Sequence, residues 1–227
     1  MIANNDLDIK IITFLDESLG ADAMITTSEY KSLEDLKGKK IAFEEGTTSD
    51  ILFRQAVSDH NLSVDDFEIV FMPASDAGLA LLSGNVDAAV TYEPYISSII
   101  AEDSNVHVIY SGENSPGLIS DIAAVHTDFY NENPELIETL QKIWDEAMAF
   151  WKENPERGNE IIAKESGTEV DQLDPILEGI HFFTMDEQKD IVESGELLKK
   201  LENIKTILDS QEGLEKDFNL EDMVGIK

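Results

Sequence analysis

The chain has 227 residues, of which 42% are hydrophobic, and its 48 acidic against 16 basic residues give a formal charge of −32. A charge of this size repels nucleic acid and anionic membranes and excludes both as partners, while the absence of cysteine excludes disulfides, thiol catalysis and zinc–thiolate sites. The length allows one large domain or two small lobes, and no apolar run is long enough to suggest a membrane span.

The first sixty residues alternate branched apolar runs with turns and helical patterns. Strands are expected where β-branched residues cluster, and helices where apolar residues recur every three or four positions. These patterns predict strands at 8–15, 23–26 and 39–43, a polar turn at 16–22, a short helix at 32–38 and a longer helix at 49–60.

The same alternation continues through the next fifty residues. Apolar runs predict strands at 67–72, 87–91 and 106–110, separated by a helix at 74–83 and by a second helix that begins near Pro94. In helix 74–83 we expect Leu79, Leu81 and Leu82 to face inward. Strands that alternate with helices predict βαβ units and a largely parallel sheet, with ligands bound at the carboxyl ends of the strands.

After residue 110 the character of the chain changes. Residues 111–118, with two glycines and a proline, read as a crossover between lobes, and 119–125 as a strand. Helices are expected at 134–153, 156–165, 169–178, 187–193 and 194–209. The apolar stripe of helix 134–153 is interpreted as packing rather than as a cofactor-binding surface, and consists of Leu136, Leu140, Ile143, Ala147, Phe150 and Trp151.

One stretch stands out for its chemistry, the strand–turn–helix sequence at 41–60. An apolar strand ends in Gly46, Thr47 and Thr48, and a helical pattern starts directly afterwards. The unpaired amides at such a helix start carry the positive end of the helix dipole and can bind a carboxylate, sulfonate or phosphate. The alternative is an ordinary capped helix.

Three stretches in this order and spacing resemble the nitrate/sulfonate/taurine and thiamine-pyrimidine-precursor substrate-binding proteins of ABC importers. They are LKGKKIAFEEGTTS at 36–49, PASDAGLALLSGNVDAAVTYEP at 73–94 and SPGLISD at 115–121, and the turn DESLGAD at 16–22 also fits the family. The resemblance extends from about residue 8 to about residue 185. Family members usually carry roughly a hundred further residues before the matching part, so we expect this chain to correspond to the later part of a family member.

The resemblance implies an α/β, periplasmic-binding-protein-like two-lobe architecture with a truncated first lobe and a helical C-terminal part. The expected divisions are a remnant of lobe one at 1–36, lobe two with its βαβ units at 37–112, and a return crossover with C-terminal helices that pack on lobe one at 113–227. Full-length members are periplasmic or extracellular and lipoprotein-like. The first residues of this chain carry no signal-peptide pattern, so the chain is expected either to be cytoplasmic or to begin inside a longer precursor.

The resemblance also implies a small-molecule ligand in an interlobe cleft and an ABC permease as partner. The carboxylate of Glu93 beside Tyr92 and Tyr95 suits an amine. Because Glu44 and Glu45 disfavour a purely anionic ligand, we expect a zwitterionic or amine-bearing ligand. For Glu93 the alternative is an acid at a helix start, and for Asp76 an N-cap acid. The candidate ligand-binding residues are Gly46, Thr47, Thr48, Asp76, Tyr92, Glu93, Ser18, Gly20 and Asp121.

Other functions remain as alternatives. The four histidines lack metal-binding spacing, no nucleophile elbow or P-loop is present, and no cofactor or catalytic residue is expected. One alternative is a biosynthetic enzyme of the thiamine-pyrimidine type. It is disfavoured, because such enzymes use a cysteine-rich motif and this chain has no cysteine. A ligand-sensing regulatory domain of the same fold is the second alternative, and an exposed sheet edge could allow a homo-oligomer.

Overall fold

The computed structural model describes residues 8–212 and 219–226. The strands are β1 (Ile9–Ser18), β2 (Asp22–Thr27), β3 (Lys40–Phe43), β4 (Glu68–Phe71), β5 (Ala88–Tyr92), β6 (Val106–Ser111), β7 (Ser120–His126) and β8 (Ile180–Phe182). The helices are α1 (Thr48–Asp59), α2 (Ala74–Leu82), α3 (Tyr95–Glu102), α4 (Thr127–Glu132), α5 (Pro134–Glu153), α6 (Pro155–Ser166), α7 (Leu173–Glu178), α8 (Met185–Glu193), α9 (Glu196–Glu212) and α10 (Leu220–Met223). In this described part, no helix is both long and apolar enough to cross a membrane.

The chain forms two compact units. The first unit contains the residues up to Asp16, Ser120–Val170 and the residues from Phe182 onward, and the second contains Glu17–Ile119 and Asp171–His181. Residues 17–36 therefore belong to the same unit as 37–112, whereas the sequence suggested a division near residue 36. The reason is β2, which pairs with both β5 and β6 and so joins the sheet of the second unit.

The second unit is built around a five-stranded sheet with the order β4-β3-β5-β2-β6. β3 pairs in parallel with β4 and with β5, as βαβ units require, but β2 pairs antiparallel with β5 and with β6. The prediction of a largely parallel sheet was therefore wrong for this half of the sheet. Hydrophobic periodicity locates strands but carries no information on the direction in which distant strands pair.

Helices α2 and α3 pack against this sheet through small residues. The buried face of α2 consists of Ala74, Ala77, Gly78 and Leu81, and a Cβ on Gly78 would lie 2.8 Å from Cγ1 of Ile99 in α3. Leu79 is 60% exposed, so the prediction that it faces inward was wrong. The close approach of the two helices at Gly78 sets which face of α2 turns to the core.

The first unit contains a three-stranded sheet with the order β7-β1-β8. Its core includes Phe14 of β1, which meets the ring of Phe183 edge-on at 5.1 Å. Gln188 of α8 is fully buried and is satisfied on both sides, since its Oε1 accepts from the Phe14 amide and its Nε2 donates to the Phe183 carbonyl. The buried amide thus ties α8 to the sheet without leaving a polar atom unpaired.

Helix α5 confirms the predicted span 134–153, but its buried face differs from the expected one. Ile137 and Gln141 are buried, and the Gln141 amide donates to the Ile12 carbonyl of β1 at 2.8 Å. Five of the six residues of the predicted packing stripe are instead exposed, namely Leu136, Leu140, Ile143, Ala147 and Phe150. Apolar residues cover about half of the circumference of this helix, so spacing alone could not show which part of that arc meets the core.

Candidate functional site

The carboxyl ends of β3 and β5 bring several candidate residues to one edge of the second unit. The two strands are parallel neighbours, with Ile41 opposite Ala88 and Ala42 opposite Ala89. Glu44 directly follows β3, and Tyr92 is the last residue of β5. This edge is where parallel α/β sheets place their ligands, as the sequence suggested.

The turn between β3 and α1 is held by its own polar groups. Gly46 has a φ of 71°, a left-handed conformation that glycine adopts without strain, and its amide donates to Oδ2 of Asp50 at 3.0 Å. Thr47 is the N-cap residue of α1, and its hydroxyl donates to the Glu44 carbonyl at 2.8 Å. The Gly46 amide and the Thr47 hydroxyl are therefore engaged within the turn.

The first turn of α1 nevertheless retains donors. The first helical hydrogen bond runs from the Ile51 amide to the Thr47 carbonyl, and the amides of Thr48 and Ser49 have no acceptor in the described chain. Ser49 is 2% exposed, and its hydroxyl also has no partner among the described residues. Two amides and one hydroxyl at the positive end of a twelve-residue helix form a suitable site for an anionic group.

Asp50 adds a negative charge to this turn, but that charge is matched. Its side chain is buried, and Oδ1 accepts from Nε of Arg54 one helical turn later at 2.5 Å. Arg54 therefore neutralises the charge that Asp50 would otherwise place at the start of α1.

Glu44 has a structural role that the sequence did not reveal. Its Oε2 accepts from the Ala74 amide at 3.1 Å and so caps the start of α2, while the Thr91 hydroxyl donates to the Ala74 carbonyl at 2.7 Å. Asp76, the residue predicted either as a ligand contact or as an N-cap acid, lies exposed in the first turn of α2. The cap therefore comes from a residue thirty positions earlier in the chain.

Tyr92 lies in an acidic and aromatic environment. It is 38% exposed, its ring meets that of Tyr95 edge-on at 5.3 Å, and Asp22 is its partner across the β2–β5 pairing. Partial burial raises the pKa of the Tyr92 phenol above its ordinary value, with a smaller contribution from Tyr95. The negative charges of Glu44 and Asp22 raise this pKa further.

Glu93 is engaged at the start of α3. Its carboxylate accepts from the Ser97 amide at 3.1 Å and from the Ser97 hydroxyl at 2.8 Å. This is the role of a helix-start acid, the alternative that the sequence left open. Its neighbour Tyr92 remains half exposed at the strand end.

Ser18 and Gly20 take part in a backbone cluster. The amides of Leu19, Gly20 and Ala21 all donate to the Gly179 carbonyl, at 2.8, 3.0 and 3.1 Å. The Ser18 hydroxyl accepts from the Asp22 amide at 3.0 Å, and the Ser18 amide donates to the Ile119 carbonyl at 2.9 Å. These polar groups join three stretches of the second unit, at 18–22, 112–119 and 179.

Asp121 belongs to the first unit, where it is exposed in β7, whereas the other eight candidates lie in the second unit. Sequence reasoning missed three residues, namely Asp22 at the start of β2, Glu44 as a helix cap, and the buried Ser49 in the first turn of α1. For Ser49 a signal was present, since it is the third consecutive hydroxyl residue of the turn. Among the described residues, no group of three or more acidic or histidine side chains could hold a metal ion.

The relatives found by comparison with known proteins are named as binding proteins. A binding protein of Brucella abortus (strain 2308) is 31% identical over 160 residues, which are 63% of this chain and 46% of that protein. An aliphatic sulfonates-binding protein of Escherichia coli (strain K12) is 29% identical over 140 residues, which are 62% of this chain and 43% of that protein. The chain thus spans about half the length of the curated relatives that it matches.

The fold has close structural counterparts. The alkanesulfonate-binding protein SsuA of Xanthomonas axonopodis pv. citri, bound to MOPS, superposes with a TM-score of 0.72 at 16% identity, covering 98% of this chain and 75% of that one. This confirms the predicted α/β, periplasmic-binding-protein-like fold. Residues 3–158 match the family described as NMT1/THI5 like. The chain belongs to the NMT1/THI5-like family.

Proposed function

We propose that this chain is the ligand-binding part of a solute-binding protein that serves an ABC importer outside the cytoplasmic membrane. In this proposal it captures a small sulfonate-type ligand that also carries an amine, passes it to a permease and catalyses no reaction. The relatives support the general class, because they are named as binding proteins and two of the names specify sulfonates. The amine is supported by the residues of this chain.

One observation carries the proposal. The carboxyl edge of the second unit's sheet holds two features close together, hydrogen-bond donors at a helix start and carboxylates beside a tyrosine. The start of α1 offers the Thr48 and Ser49 amides and the buried Ser49 hydroxyl. Glu44, only a few residues earlier, directly follows β3, and Asp22 lies opposite the partly exposed Tyr92 in the β2–β5 pairing.

The chemistry of the two features is complementary to a zwitterion. A sulfonate accepts hydrogen bonds from amides at a helix start without needing a basic side chain. An ammonium group is stabilised by carboxylates and by the faces of aromatic rings, here the pair of Tyr92 and Tyr95. MOPS, the molecule bound to the Xanthomonas protein, itself combines a sulfonate with a tertiary amine. A simple alkanesulfonate would leave the two carboxylates facing an apolar chain.

Calorimetric titration with a matched pair of ligands tests this proposal. Taurine and ethanesulfonate differ by one amine, and we expect taurine to bind at least tenfold more tightly, about 1.4 kcal/mol in free energy. MOPS should also bind. Equal or tighter binding of ethanesulfonate would disprove the amine part of the proposal, and failure of all three compounds to bind would disprove the sulfonate class.

A further inference from the structure

The first turn of α1 contains a buried hydroxyl that the described fold does not use. Ser49 is 2% exposed, and its hydroxyl has no hydrogen-bond partner among the residues that the structure describes. Folded proteins pair nearly all of their buried polar groups, because a buried group without a partner is costly in free energy. An unpaired hydroxyl at this depth therefore indicates a partner that binds from outside the fold.

The side chains that could have satisfied this turn are engaged elsewhere. An N-cap threonine normally accepts from amides of the first turn, but in the described part of the chain the Thr47 side chain accepts no such bond. Its hydroxyl donates backwards to the Glu44 carbonyl at 2.8 Å. The Asp50 carboxylate is likewise occupied by its two hydrogen bonds described above. The Ser49 hydroxyl is thus left over together with the two first-turn amides.

The geometry of a helix start brings these donors together. The first amides of a helix point outward along its axis, and side chains lean toward the N-terminal end. The Ser49 hydroxyl therefore lies on the same side of the helix start as the Thr48 and Ser49 amides. Gly46 and Thr48 are both exposed, so the turn is open to solvent beside the buried hydroxyl.

The number of donors distinguishes between acids with different numbers of oxygens. A sulfonate has three equivalent oxygens in a pyramidal arrangement, so it can accept from two amides and one hydroxyl at once. A carboxylate has two oxygens in one plane, and once both amides are bound the hydroxyl stays unpaired. A site with a buried donor discriminates against an analogue that lacks the matching acceptor.

We propose that Ser49 is a specificity-determining residue, whose hydroxyl makes the site select acids with three oxygens over carboxylates. The inference rests on the proposed function, because it concerns the same anion-binding turn. The Thr48 and Ser49 amides supply the attraction for any anion, and the hydroxyl supplies the discrimination. A sulfonate and a carboxylate each carry one negative charge, so the selectivity arises from the number of hydrogen bonds and not from charge.

Calorimetric titration of the 227-residue chain and of its Ser49→Ala variant with two matched ligands tests the proposal. Taurine and β-alanine have the same amine and the same two-carbon chain, and differ only in the acid group. The parent chain should prefer taurine. Ser49→Ala should weaken taurine binding by about 10- to 100-fold and leave β-alanine binding nearly unchanged. Differences in size and hydration between the two acids cancel when the ratio of the two affinities is compared between variants.

Ser58→Ala is the matched control. Ser58 is exposed near the other end of α1, so this change removes the same atom without altering the anion-binding turn, and both affinities should stay as in the parent chain. Thermal unfolding without ligand is a second measurement. Removing an unpaired buried hydroxyl should leave the melting temperature of Ser49→Ala unchanged or raise it, whereas removing a paired one lowers it.

The possible failures can be told apart. If Ser49→Ala changes the affinities for taurine and β-alanine by the same factor, or changes neither, Ser49 does not determine specificity and the proposed function still stands. A lower melting temperature of the ligand-free variant would show that the hydroxyl has a structural partner, and would also overturn the assignment. If neither ligand binds to the parent chain, the proposed function fails and the role of Ser49 fails with it.

Discussion

Replacing Glu44 with glutamine should weaken the binding of taurine by about 10- to 100-fold, since a hydrogen bond to a charged group contributes about 1.5–3 kcal/mol. Glutamine keeps an oxygen that can accept from the Ala74 amide, so the cap of α2 survives and only the negative charge is lost. Binding of ethanesulfonate should stay the same or become tighter, because a repulsive charge near its sulfonate is removed.

The neighbouring residue provides a matched control for this experiment. Glu45 is exposed and adjacent in sequence, so Glu45→Gln makes the same change in net charge without altering Glu44, Asp22 or Tyr92. Calorimetry on both variants separates the effect of the Glu44 carboxylate on taurine binding from the effect of lowering the net negative charge of the protein by one. If Glu45→Gln and Glu44→Gln weakened taurine binding equally, Glu44 would have no specific role in recognising the amine.

Replacing Gly112 with alanine should destabilise the second unit by about 3 kcal/mol, at the upper end of the usual cost of overpacking. A Cβ on Gly112 would lie 2.2 Å from the Ser18 carbonyl oxygen and 3.0 Å from that of Leu19. Both atoms belong to backbone that is already fixed, because the Glu113 amide donates to the Leu19 carbonyl and the Ser18 amide to the Ile119 carbonyl. The backbone therefore cannot move aside without breaking hydrogen bonds.

Thermal unfolding measures this effect, and Gly20→Ala is its control. At about 2–4 °C per kcal/mol for a chain of this size, Gly112→Ala should lower the melting temperature by about 6–12 °C. A Cβ on Gly20, in the same cluster, would meet nothing closer than the Gly179 Cα at 3.9 Å, so that variant should melt close to the parent chain. Similar melting temperatures for the two variants would show that the 18–22 and 112–119 stretches are not held together as described.

The local parts of the fold could be predicted from the sequence. The predicted strands and helices between residues 39 and 111 are confirmed to within about two residues, because branched apolar runs, hydroxyl-rich turns and closing glycines are signals contained in a few neighbouring residues. The start of α1 was found for the same reason. Its function as an anion site stays a prediction.

The features that the sequence did not predict depend on contacts between residues far apart in the chain. The antiparallel insertion of β2 between β5 and β6, and the three-residue strand β8, are decided by pairing partners that no local pattern names. The capping of α2 by Glu44 and the contact of the Leu19–Ala21 amides with Gly179 likewise join segments that are distant in sequence. Similarly, α5 has more apolar surface than its own unit covers, so its pattern showed a helix but not the face that is buried.

The most direct test of the central claim is a map of amide chemical-shift changes as taurine is titrated into the ¹⁵N-labelled chain. A ligand held at the carboxyl edge of the second unit should shift the amides of Thr48 and Ser49 most, followed by those around Glu44 and Tyr92. Saturable shifts confined to these residues would be the result that the account predicts. Saturable binding that leaves the Thr48 and Ser49 amides unchanged, with shifts elsewhere, would contradict it.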